Sequence, residues 1–169
     1  LFGRRRTRGM SVHDAAARGD LVTVRKCVEA DIRAYVAAED AASVVDGLMG
    51  QTPLHLAAEG GHAEVCEYLL QVGAAANSVD AHGTRPLQLA AAKGHLGAVQ
   101  ALLRGKARVD ARDESGETAI QWAAARGHGE VVCALLERAK SVDLASTPGG
   151  WTALHCACFN GHADLPRLL

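Results

Sequence analysis

Four segments of the chain open on the same frame at a near-constant spacing, and nothing else in the sequence restricts the fold as tightly. They are Gly50-Gln-Thr-Pro-Leu-His55, Gly83-Thr-Arg-Pro-Leu-Gln88, Gly116-Glu-Thr-Ala-Ile-Gln121 and Gly150-Trp-Thr-Ala-Leu-His155, whose leading glycines recur at positions 50, 83, 116 and 150. A second landmark keeps step with the first: Gly61-His62, Gly94-His95, Gly127-His128 and Gly161-His162. An apolar helical face follows each landmark, such as Val65, Cys66, Leu69 and Leu70. Two motifs held in register over four copies exceed what chance matching produces. A fixed period of this length marks a chain of stacked units, none of which buries its apolar face alone.

Elementary chemistry assigns each copy a shape. Thr52 followed by Pro53 is a helix start, since the Thr side chain caps free N–H groups and Pro at the first helical position has none to leave unpaired. Ser11 with Asp14 three residues on predicts a similar start for the first helix, as an approximate capping box. Gly61, Gly94, Gly127 and Gly161 suit a left-handed residue that ends a helix. Ala57, Ala58, Ala90, Ala91, Ala123 and Ala124 keep the first helix of each copy thin, so that neighbours approach closely. Leu69 with Leu70, and Leu102 with Leu103, are expected to fill the seam under the second helix. Each copy therefore reads as helix, tight turn, helix and an extended loop into the next.

These residues resemble the ankyrin repeat, whose hallmark is Thr-Pro-Leu-His-x-Ala at a period of about 33 residues. The resemblance covers roughly residues 11 to 169, and Thr52-Pro53-Leu54-His55-Leu56-Ala57-Ala58 matches the motif closely. Arg85 stands in place of Thr in the next copy, and Gln88 and Gln121 in place of His, departures expected to weaken local capping. The resemblance implies an all-α ankyrin-repeat solenoid with β-hairpin-like connecting loops. Its expected divisions are a tail or expression remnant at 1–10, a cap repeat at 11–30 built on His13-Asp-Ala-Ala-Ala-Arg-Gly19, an insertion at 31–46, repeats at 47–79, 80–112 and 113–146, and a partial repeat at 147–169. The insertion follows from the interval between Gly19 and Gly61, which is longer than one repeat period, and Ile32, Tyr35, Val36 and Glu39 in it have the spacing of a short helix. Leu168-Leu169 fall inside a second helix and Met10 is a plausible native start, so the chain is expected to be a piece of a longer protein.

Composition bears on compartment and on chemistry. A chain of 169 residues with net charge -1 and 49% apolar residues suits one soluble unit, and 4% aromatics among many Ala and Gly favours thin, closely packed helices. No apolar run is long enough for a bilayer, and Arg4, Arg5, Arg6 and Arg8 are not followed by the apolar stretch of a secretory signal, so a cytoplasmic or nuclear setting is expected. Those arginines stand in an otherwise charge-balanced chain and are read as a flexible tail, not a nucleic-acid site. Cys27, Cys66, Cys133, Cys156 and Cys158 are odd in number and lack framework spacing, which predicts reduced thiols.

No motif points to catalysis. G-x-S-x-G, phosphate-binding Gly loops and zincin motifs are absent from the sequence. Seven of the eight His occupy repeat positions, where in ankyrin repeats the ring ties neighbouring backbones together; only His82 lies outside the motif. His155, Cys156 and Cys158 lack the second ligand pair that a structural zinc requires, so no metal or cofactor is expected.

The resemblance implies instead a monomeric module that binds a partner protein or extended peptide through a concave groove and the loop tips, touching neither nucleic acid nor membrane. Mapped onto this chain, the tips carry Met49, His82, Glu117 and Trp151, and the helix face carries Lys93, Arg126, Phe159 and Asn160. Trp122 takes a groove-edge position where most copies have Leu. Trp and Arg are the usual anchors of interfaces. The alternative is a regulatory or substrate-recruiting domain of a larger enzyme, such as a kinase or a DHHC protein S-acyltransferase, whose Trp-containing repeat Trp122-Ala-Ala-Ala-Arg-Gly-His128 resembles.

Overall fold

Several helix starts in this chain are fixed by polar groups three residues apart. The computed structural model describes residues 11–30, 50–139 and 152–160. Within them run α1 (Val12–Arg18), α2 (Leu21–Ala30), α3 (Pro53–Glu59), α4 (Ala63–Gln71), α5 (Pro86–Lys93), α6 (Leu96–Arg104), α7 (Ala119–Ala125), α8 (Gly129–Leu136) and α9 (Ala153–Phe159). At α1 the Asp14 N–H donates to Ser11 Oγ at 3.1 Å while the Ser11 N–H donates to the Asp14 carboxylate at 3.4 Å, which is the reciprocal capping box. Asp20 caps α2 by accepting the Thr23 N–H at 3.0 Å. At α3 the Thr52 N–H donates to His55 Nδ1 at 3.1 Å.

The two glutamines keep the return half of their caps, whereas Arg85 gives its helix no side-chain acceptor. Gln88 Oε1 accepts the Arg85 N–H at 2.9 Å, and Gln121 Oε1 accepts the Thr118 N–H at 2.9 Å. A side-chain amide offers an acceptor and a donor on one short stem, as a neutral imidazole does, so it takes over the same duty. The other end of each group crosses to the next repeat. His55 Nε2 lies 3.1 Å from the Thr84 carbonyl, and Gln88 Nε2 donates to the Glu117 carbonyl at 2.8 Å. Because the Thr84 carbonyl can only accept and the Thr52 N–H can only donate, the His55 proton sits on Nε2. Arg85, lacking an oxygen for its own cap, reaches outward and donates from Nη1 to the Arg112 carbonyl at 2.8 Å.

The glycine landmark meets two demands at once. Gly61, Gly94 and Gly127 have φ of +76°, +78° and +79°, where a side chain is strained. A Cβ on Gly94 would also stand 2.6 Å from the ring of His128, which bonds the Ala92 carbonyl through Nε2 at 3.1 Å. His62 likewise reaches the Ala17 carbonyl at 3.0 Å, so these rings lace the backbones of consecutive repeats together.

The helices form two rows, α1, α3, α5, α7 and α9 packing in sequence on one side and α2, α4, α6 and α8 on the other. All six inner-row alanines named above are fully buried between them. Leu69, Leu102 and Leu135 are fully buried between the rows, and Leu70 and Leu103 pack against that core while only partly buried. The loops into α5 and α7 are hairpin-like: the Asp80 N–H bonds the Thr84 carbonyl at 3.0 Å, the Asp113 N–H bonds the Glu117 carbonyl at 3.1 Å, and Arg112 and Thr118 form an isolated antiparallel bridge. No longer strand occurs among the described residues. The 1–10 tail, the expected helix in the 31–46 insertion and the end of the partial repeat from 161 onward lie outside them.

Candidate partner-binding surface

The tips at 80–84 and 113–117 lead directly into α5 and α7, and the repeat period places equivalent side chains along the inner row. Leu56 on α3, Leu89 on α5 and Trp122 on α7 stand at one repeat position, each half-buried where its alanine neighbours are fully covered. This is neither core filling nor free exposure. An apolar strip remains in reach of solvent along the inner row.

Two carboxylates build the tips. Asp80 Oδ1 accepts the N–H groups of His82 and Thr84, both at 2.9 Å, and Asp113 Oδ1 accepts those of Ser115 and Glu117, also at 2.9 Å. Such Asx turns shape the loop from a side chain instead of a ladder. Consecutive tips then dock, the Glu114 N–H donating to the His82 carbonyl at 3.4 Å.

Asp113 does more than its counterpart. Its Oδ2 accepts the Trp122 indole N–H at 3.0 Å and lies 3.4 Å from Gln88 Nε2. The Arg126 guanidinium lies over the same indole, 4.9 Å from the ring centroid. Cation and ring attract through the ring quadrupole, which holds Arg126 over Trp122. Glu117 completes the group. Partial burial, then the nearby Asp113 charge, pushes its carboxyl above the usual range, while Arg126 and the Trp122 indole oppose that rise.

The sequence-derived contact residues divide on inspection. Trp122, Arg126 and Glu117 come together around Asp113, which sequence reasoning did not single out. A signal for it exists: Asp80-Ala-His-Gly-Thr84 and Asp113-Glu-Ser-Gly-Glu117 share one frame, a single repeat period apart. Lys93 extends from the end of α5 and pairs with Glu59 at 3.3 Å, both side chains substantially exposed, a pair worth about 0–1 kcal/mol. His82 is exposed on its tip, and Asn160 is exposed just past α9. Met49, Trp151 and the Phe159 side chain lie outside the described residues.

His155 repeats the α3 cap: its Nδ1 stands 2.8 Å from Thr152 Oγ1 and accepts the Thr152 N–H at 3.3 Å. That nitrogen is engaged with the backbone of its own helix start. Cys27, Cys66, Cys133 and Cys158 take part in no disulfide. Among the described residues, no three His, Cys, Asp or Glu gather where one ion could be held, and no helix is long and apolar enough to cross a membrane. An open cleft of about 390 Å³ lies on the outer row between α4 and α6, spanned by the Glu67–Arg104 ion pair, which satisfies its charges internally.

A family model for ankyrin repeats, three copies long, matches residues 12–113 and 97–169. A search of curated proteins returned no match.

Proposed function

Because the chain belongs to the ankyrin-repeat family, whose domains are in general protein-interaction modules, we propose that it binds a partner protein or extended peptide along the inner row and the tips, with Trp122 and Arg126 as its principal contacts. The observation that carries this reading is a tryptophan left half-exposed on an otherwise alanine-lined helix and held in place by two neighbours. Core packing alone gives no reason to spare it from burial. Leu56 and Leu89 continue the apolar strip toward α3, and the paired charges of Glu59 and Lys93 border it. Trp and Arg at the centre of such a strip are the residue types that dominate interface energetics.

Site-specific photocrosslinking tests the location. A photoreactive residue at Leu89, on the inner row, captures the partner, and one at Gln100, exposed on the outer helix α6, does not. Titration tests the anchor: Trp122→Ala weakens binding by on the order of 30-fold, the equivalent of about 2 kcal/mol. Unchanged affinity in that variant, with adducts forming only at Gln100, removes the reading.

A further inference from the structure

We infer that Asp113 is the positioning residue of this surface, fixing the Trp122 indole so that a partner meets a rigid apolar plate and not a mobile side chain. The inference rests on the interaction reading above and adds to it a division of labour within one carboxylate. Building the tip requires only Oδ1, as Asp80 demonstrates with the same two backbone N–H groups one repeat earlier. At that earlier copy the inner-row residue is Leu89, which has no side-chain N–H to offer. At Asp113 the second oxygen is turned to Trp122 Nε1 at 3.0 Å and is steadied by Gln88 Nε2 at 3.4 Å from the preceding repeat. A hydrogen bond to an ionised acceptor is stronger and more directional than a neutral one. With its N–H engaged by Asp113 and Arg126 over its ring, Trp122 has its contact surface defined before any partner arrives.

The chemistry of the partner follows in one respect. An indole whose N–H already faces the Asp113 and Glu117 carboxylates offers the partner its ring, so the group that seats on Trp122 makes apolar contact. Holding the ring in advance also removes the cost of immobilising it on association, an effect on the order of three- to tenfold in affinity.

The test begins on the unaltered chain, labelled with ¹⁵N. The Trp122 indole signal, identified by its loss in Trp122→Phe, exchanges with solvent at least about tenfold more slowly than a free indole; exchange at the free rate overturns the proposal without any further variant. An asparagine at 113 can turn its single acceptor to the tip or to the indole but not to both. In Asp113→Asn the indole signal therefore shifts and its protection falls, the Glu117 carboxyl being the remaining acceptor, whereas Asp80→Asn leaves both as they were. An unmoved signal in Asp113→Asn, or an equal movement in Asp80→Asn, contradicts the assignment. With the crosslinked partner in hand, Asp113→Asn weakens binding three- to tenfold. Full affinity there alongside a large loss in Trp122→Ala overturns the positioning role, while full affinity in both variants, with the indole protected, overturns the interaction reading instead.

Discussion

His55 and Gln88 occupy one repeat position and make the same two contacts with different chemistry: each accepts an N–H at its own helix start and reaches a carbonyl of the next tip. Both are fully buried, so a missing partner is not replaced by water. His55→Gln is therefore expected to keep unfolding free energy within about 0.5 kcal/mol, while His55→Ala loses about 2–3 kcal/mol in urea titration, since it orphans two groups. Cys66 is the other buried reactive group. Burial pushes its thiol up to about 12, so the folded protein keeps Cys66 protonated at pH 8 and iodoacetamide leaves it unmodified until urea unfolds the chain. The sign for stability follows: the folded state holds this proton more tightly than the unfolded state, so the contribution is complete below the unfolded thiol range of about 8.5 and declines as pH rises toward 12.

Local starts and stops were the most legible part of the sequence, because they are set by residues within four positions of one another. Ser11 with Asp14, Thr52 with Pro53, and Gly94 before His95 announce their helices without any knowledge of neighbours. The same locality makes α1 sensitive to acid. The Ser11 hydroxyl and backbone N–H hold the Asp14 carboxyl below its ordinary range, so its support for α1 is present above the unfolded Asp value of about 3.9 and is lost as pH falls through the lower folded value. Asp14→Asn is expected to flatten the decline in thermal stability between about pH 5 and pH 2 relative to the wild type, as followed by circular dichroism. What the sequence withheld were pairings across repeats. Asp113 works through Gln88 in the preceding repeat and Trp122 on the helix that follows, and the Arg85 side chain meets a carbonyl of the next tip. Periodicity names the positions but not which oxygen turns toward which donor. The strain on glycines was legible from their spacing; that the following repeat's His ring also occupies the space of their missing side chains was not.

At the scale of the whole chain, the inner row carries both the alanine seams that join repeats and the strip left open to a partner. The seam alanines are buried and the strip residues one step away on the same helices are not, so stacking and the proposed binding use different sides of one thin helix. The outer row, with its Glu67–Arg104 pair and the Arg25 guanidinium 4.9 Å from the Tyr68 ring centroid, presents mixed polar groups tied to one another. On the proposed reading, binding on the inner row orders the tips and the N-terminal turns of α3, α5 and α7 and leaves the outer helices as they were. Amide hydrogen exchange of the chain, alone and saturated with its crosslinked partner, measures this directly. Added protection is expected at residues 80–84 and 113–117 and across α3, α5 and α7, with α4, α6 and α8 unchanged. Added protection confined to α4, α6 and α8 would contradict it.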